Sequence, residues 1–233
     1  MKKLLPTLCL TLLTALPAAH SQVSPDAASK ALQDGNARYV AGKSTHPRID
    51  PERRKATALE GQTPIAAILG CADSRVPPEI IFDQGFADLF VVRVAGNVAG
   101  ALETASVEYS VAVLKVPLIV VLGHTKCGAV DAAIKNGKLP GSLPELMKMI
   151  RPAVIEAEKE KKTSTDLSTL AMEKNVNLAI ATLEQSPVIK AAMDKKQIKI
   201  LGAIRHIEDG HVTWLPPRFA VPVAAPAAPK KSK

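Results

Sequence analysis

Aromatic residues are nearly missing from this sequence. One tryptophan, two tyrosines and four phenylalanines in 233 residues leave little material for the aromatic platforms on which single-stranded nucleic acids stack. The core must therefore be built from aliphatic side chains and alanine. A true charge surplus is missing too, once the charges are located. The formal net charge is +8, but Lys2 and Lys3 lie in an N-terminal leader and Arg218, Lys230, Lys231 and Lys233 in a Pro/Ala-rich end. Without those six cations, 24 basic residues face 22 acidic ones, too even a balance to steer a polyanion. No nucleic-acid partner is expected.

Long apolar runs are also absent. Leu4 to Leu16 falls short of the roughly 20 residues a membrane-spanning helix needs. It follows the basic Met1-Lys2-Lys3 and precedes the small residues of Pro17-Ala18-Ala19-His20-Ser21, the order of a secretory signal. The expectation is a signal peptide over 1–21, a domain over 22–216, and a flexible Pro/Ala/Lys tail over 217–233. The mature protein would be periplasmic or secreted, with no stable membrane insertion after cleavage; a short membrane anchor is the alternative reading.

Cysteine is scarce as well. Cys9 lies in the leader, which leaves Cys71 and Cys127. In an oxidising compartment two cysteines suggest one disulfide. A pair of metal thiolates is the other reading. It also accounts for His124, three residues before Cys127, and gives Asp73 and Arg75 a role.

What is present is an alternation of strand and helix patterns. Ile65 to Leu69, Leu89 to Val94, Pro117 to Leu122 and Ile198 to Ile204 are short apolar runs that read as buried strands. His211 to Leu215 follows the Asp209-Gly210 turn and suits an antiparallel edge strand. Helical spacing covers 26–40, 100–114, 143–162 and 165–185, with shorter candidates at 52–59, 128–135 and 188–195. The class is α/β: a mostly parallel sheet flanked by helices, with an N-terminal helical arm. No internal repeat is visible. In parallel sheets ligands gather at the carboxyl ends of strands, near a switch in strand order. Cys71 and His124 each follow a strand end, so clusters 53 residues apart can meet on one rim.

Two thiolates and one imidazole form a zinc ligand set with a corner to spare. Asp73 or a water can take that corner. Arg75, two residues on, offers Asp73 a bidentate alternative.

Cys71-Ala-Asp73-Ser-Arg75-Val-Pro-Pro-Glu79 and Gly123-His124-Thr-Lys-Cys127-Gly128 resemble the β-class carbonic anhydrases. The likeness runs from about Ala31 to Leu215, through Leu32-Gln-Asp-Gly-Asn-Ala-Arg38 and Phe90-Val-Val-Arg93-Val-Ala-Gly-Asn97. It implies reversible hydration of CO₂ to bicarbonate and a proton, with one Zn²⁺ per subunit held by Cys71, His124 and Cys127. It makes Asp73–Arg75 the dyad that orients a zinc-bound hydroxide, with Asp73 a fourth ligand only in a closed state. It makes Gln62 a donor to substrate, Phe90 an apolar wall, and Tyr109 a cleft residue lent across a dimer interface; Phe90 and Tyr109 also suit an ordinary core. Gly128 would leave room and a backbone N–H near the metal. The arm would wrap a partner in a homodimer or dimer of dimers. Some family members carry an inhibitory bicarbonate site marked by a tryptophan three residues before the first cysteine. Here that position is Ile68, so no such site is expected, although Arg93 is retained. His46, His206 and His211 are candidate proton carriers only because they titrate near neutral pH. A thiol-redox protein using Cys71 and Cys127, or a zinc hydrolase of small esters, are the competing functions.

Overall fold

A computed structural model describes residues 23–160 and 164–216. The expected signal peptide over 1–21 and tail over 217–233 lie outside the described residues. Among the described residues, no helix is long and apolar enough to cross a membrane.

Five strands form one sheet in the order β2-β1-β3-β4-β5. They are β1 (Ala66–Gly70), β2 (Leu89–Arg93), β3 (Leu118–His124), β4 (Lys199–Arg205) and β5 (Val212–Trp214). The first four run parallel and β5 is antiparallel to β4. Every residue of β1 and β3 is buried, which is why both read as unbroken apolar runs without alternation. The chain leaves β1 toward β2 on one side and returns to β3 on the other, so the switch in strand order lies between β1 and β3.

β3 extends past the boundary read from the sequence. Gly123 does not end the strand: Gly123 and His124 pair with Ile204 and Arg205 of β4. The glycine is used for close approach. A Cβ there would lie 2.7 Å from the Val176 side chain of α7 (Ser164–Glu184). His124 is thus the last residue of a strand, held by the sheet ladder.

Helix α1 (Pro25–Val40) begins at Ser24, whose hydroxyl accepts the Ala27 amide at 3.1 Å, with Pro25 in the first turn. Ala28, Leu32, Gly35 and Asn36 form its buried face. Gly35 sits mid-helix, where glycine costs about 1 kcal/mol relative to alanine. It is required because a Cβ would fall 1.8 Å from the Phe82 carbonyl oxygen. Asn36 donates to the carbonyls of Ile81 and Gly210 and accepts from Val212 N–H, pinning α1 to its own subunit. The short α2 (Pro51–Glu60) buries none of its residues. Of the arm, then, α1 is seated on its own domain and α2 is left without a covering layer in the subunit.

The four-residue α3 (Pro78–Ile81) and a 3-10 turn at Ala95–Asn97 have no counterpart in the sequence reading. The remaining helices are α4 (Ala101–Ala112), α5 (Gly128–Lys135), α6 (Leu143–Glu160) and α8 (Pro187–Asp194). They match the sequence expectations to within a few residues, the scatter normal for helix ends.

Candidate metal centre

Three side chains meet at the carboxyl ends of β1 and β3, at the switch point. Cys71 follows β1, His124 ends β3, and Cys127 is the N-cap of α5. Their ligand atoms all lie within 4.8 Å of one another, and all three residues are buried. The sulfurs are free rather than bonded to each other, which removes the disulfide reading.

The orientation of each donor has a local cause. The ring Nδ1 of His124 lies 2.8 Å from the Thr125 carbonyl oxygen. A carbonyl only accepts, so Nδ1 carries the proton and Nε2 keeps its lone pair. That Nε2 is buried and without a hydrogen-bond partner, a cost that folded proteins normally avoid. Cys71 Sγ accepts from the amides of Asp73 at 3.4 Å and Gly96 at 3.3 Å. Gly96 takes the left-handed φ of 68° that turns its N–H inward, and Asn175 braces it by donating to its carbonyl at 2.7 Å. Cys127 lies at the start of α5, where the Val130 and Ala129 amides face its sulfur.

The hydrogen bond from Cys127 lowers the pKa of Cys71, and the same contact, with burial, raises that of Cys127. Burial opposes charge on His124, yet the Cys71 sulfur, the Thr125 carbonyl and the Asp73 carboxylate raise its pKa overall. A dication would give the two sulfurs and the orphaned Nε2 a common partner. The residues present fit a metal ion with two thiolate donors and one imidazole donor, the soft set that suits zinc.

Asp73 stands beside the cluster but outside it. Arg75 donates to both carboxylate oxygens, from Nε to Oδ1 at 2.9 Å and from Nη2 to Oδ2 at 2.7 Å, and its backbone N–H adds a bond to Oδ1 at 2.9 Å. The guanidinium holds the Asp73 carboxyl well below the usual carboxylate range. Arg75 also donates to the Lys126 carbonyl at 3.1 Å.

Arg93, retained although no anion site is expected here, buttresses this loop. It donates to the carbonyls of Cys71 and Asp73. Thr125, Gly96 and Asn175 also brace the cluster. Sequence reasoning missed Gly96 and Asn175 because their partners lie on other elements.

The four expected substrate residues are placed differently. Gly128, the first residue of α5, is exposed, and a Cβ built there meets nothing within 4 Å, consistent with room beside Cys127. Gln62 is exposed and lies four residues before β1, so that the length of the strand stands between it and Cys71. Phe90 sits early in the edge strand β2, paired with Ala67. Its ring lies 6.0 Å from that of Tyr109, which is 48% exposed. One subunit therefore brings Phe90 to Tyr109 but brings neither, nor Gln62, to the cluster. A groove of about 490 Å³ lined by Asn36, Val40, His211 and Trp214 includes no residue of the cluster. His206 and His211 stack at 3.9 Å on the hairpin between β4 and β5, and His46 joins the loop that Asp83 holds together.

Residues 66–212 match the carbonic anhydrase family. The carbonic anhydrase of Mycolicibacterium smegmatis is 43% identical over 194 residues, 81% of this chain and 92% of the relative. Carbonic anhydrase 2 of Mycobacterium tuberculosis is 42% identical over 192 residues, 80% of this chain and 91% of the relative. A tetrameric β-carbonic anhydrase from Sordaria macrospora superposes with a TM-score of 0.66 at 27% identity, covering 82% of this chain and 97% of that one. The β-carbonic anhydrase CafA of Aspergillus fumigatus gives 0.63 at 32% identity, covering 80% and 89%. With relatives of this identity and coverage, and a Cys-His-Cys cluster at the strand switch, the chain belongs to the β-class carbonic anhydrases.

Proposed function

We propose that Cys71, His124 and Cys127 hold one zinc ion per subunit, and that at this centre CO₂ and water are converted reversibly to bicarbonate and a proton. The observation that carries this reading is the pairing of a three-donor metal cluster with an ionised carboxylate set beside it and turned away by Arg75. Three protein donors leave a tetrahedral ion one position for a small ligand. Zinc held there supplies Lewis acidity that makes hydroxide available near neutral pH.

The protein's own groups do the rest. Asp73, kept ionised by Arg75, accepts a hydrogen bond from the attacking oxygen and directs its lone pair at the substrate carbon. Arg75 restrains Asp73 from turning to the cluster; with that grip lost, Asp73 would be free to join Cys71, His124 and Cys127 in holding the ion. The amide of Gln62 steadies the charge that grows on the substrate oxygen. Phe90 and Tyr109 wall the approach with apolar surface, and the Gly128 position leaves space beside it.

Since one subunit does not assemble these residues, the functional unit is a homodimer or a dimer of dimers in which the partner lends Gln62 and the Phe90–Tyr109 pair. The exposed Leu102, Tyr109 and Val113 of α4 and the free edge of β2 support this reading. The signal-like pattern over 1–21 supports a working place in the periplasm or outside the cell.

The test is stopped-flow CO₂ hydration, ester turnover and zinc content measured on the wild type and on Cys71→Ala. Near-stoichiometric zinc, and hydration that outpaces ester cleavage and disappears in the variant, are expected. Equal hydration by both proteins, or thiols that oxidise with no metal bound, would overturn the assignment.

A further inference from the structure

The hairpin between β4 and β5 reaches across to the loop that joins His124 to Cys127. The Thr125 hydroxyl accepts the Ile207 amide at 2.9 Å and donates to Glu208 Oε2 at 2.9 Å. Its role as both acceptor and donor is thereby fixed. The other oxygen of Glu208 lies 2.9 Å from Lys126 Nζ. The Thr125 amide donates to the Arg205 carbonyl at 3.0 Å. Glu208 and Thr125 are 83 residues apart in sequence.

The loop so held presents two consecutive carbonyls to the metal cluster. That of Thr125 faces His124 Nδ1 at 2.8 Å and sets which ring nitrogen is free. That of Lys126 accepts from Arg75, which grips Asp73. Lys126 itself sits at a left-handed φ of 55°, which a residue other than glycine keeps only when its surroundings over-determine it. Glu208 and Thr125 are those surroundings, since they fasten the loop on both sides of the Thr125–Lys126 peptide.

We propose that Glu208, acting through Thr125, is a positioning residue. It fixes the peptide that aims His124 at the metal and Arg75 at Asp73. This rests on the reading of Cys71, His124 and Cys127 as the zinc ligands. The bland reading is an exposed Lys126–Glu208 ion pair, of the kind that contributes little on a protein surface. The two readings differ in which contact matters: the Thr125 hydroxyl bond or the charge pairing.

The zinc-loaded wild type is compared with Glu208→Ala, Thr125→Val, the double variant and Glu208→Gln. Zinc release to a chelator, kcat and KM for CO₂ hydration, and the thermal midpoint are measured. Glu208→Ala and Thr125→Val each speed zinc release and lower kcat by about tenfold, the low end of what outer partners of metal ligands contribute, with KM little changed. The double variant is no worse than either single one, because both break the same path. Glu208→Gln keeps an oxygen for the Thr125 hydroxyl and stays close to the wild type. Zinc release and kcat at wild-type values in Glu208→Ala and Thr125→Val overturn the proposal. So does a Glu208→Gln defect as large as that of Glu208→Ala, or a loss that follows the thermal midpoint alone. A wild type that binds no zinc would instead sink the zinc reading itself.

Discussion

Oδ2 of Asp73 lies 4.0 Å from Nε2 of His124 while Arg75 grips both oxygens of the same carboxylate. The carboxylate is thus within a side-chain swing of the metal cluster and is restrained from it by one guanidinium. Arg75→Ala removes the restraint. CO₂ hydration should fall by about 100-fold, on the scale of losing one pre-aligned electrostatic partner, while zinc stays bound and resists a chelator at least as well as in the wild type. Arg75→Lys should not restore the rate, since a point charge cannot form the two-pronged contact. Stopped-flow rates with zinc content in parallel decide it. Full activity in Arg75→Ala would remove the dyad from the mechanism.

Much of this centre was legible in the sequence because its parts are local. Cys71, Asp73 and Arg75 occupy five consecutive residues, His124 and Cys127 one turn, and buried parallel strands announce themselves as apolar runs. What was not legible depends on contacts between distant segments. Nothing near Arg93 says that its side chain will hold the carbonyls of Cys71 and Asp73, or near Gly123 that α7 will press against it. Helix α3 has four residues, too few for periodicity to show. A role for Gln62, Phe90 and Tyr109 at the cluster is proposed only for an assembly, which a single chain's pattern does not display.

Asp83 supplies a pH test of the fold. Its side chain is fully buried, and it accepts Arg38 Nε at 2.6 Å, the Thr45 hydroxyl, and the amides of Thr45 and His46. Burial pushes its pKa up, but Arg38 and the other donors outweigh burial and hold it at about 2. A carboxyl lowered in the folded state stabilises at every pH above its ordinary value. That contribution, about 2 kcal/mol for this shift, fades as pH falls from near 4 through about 2. Asp83→Asn should therefore lose about 2 kcal/mol at neutral pH and approach the wild type in acid. Urea unfolding across that range checks it; a gap that does not narrow toward low pH would refute the linkage.

On α4, Leu102, Tyr109 and Val113 share one helical face and are 79%, 48% and 57% exposed. Tyr109 rests on Phe90 of the unpaired β2 edge. An apolar stripe beside an open strand edge marks a contact surface. Val113→Asp should raise the dimer dissociation constant by at least ~30-fold, the ~2 kcal/mol of an interface hot spot. The hydration rate should fall with the dimer population, as Gln62 and Tyr109 are withdrawn. Sedimentation velocity with activity at matched concentrations tests both, and a fully active wild-type monomer would end the idea.

Inhibition by bicarbonate should separate this chain from family members with a second anion site, which the resemblance marks by a tryptophan where Ile68 stands. Ile68 is completely buried within β1. Two donors of Arg93, from Nε and Nη2, are committed to backbone carbonyls of the Cys71–Asp73 loop. An anion that took those donors would strip the carbonyls of their partner and disturb the segment that carries Cys71. The rate should therefore fall hyperbolically with bicarbonate at constant ionic strength, as product occupies the metal centre alone. Ile68→Trp should not create the site; it forces a larger ring into a closed strand, with an overpacking cost of about 1–3 kcal/mol, visible as a lower thermal midpoint. Sigmoidal inhibition of the wild type would show that Arg93 can leave its carbonyls, and would make the loop it braces a switch.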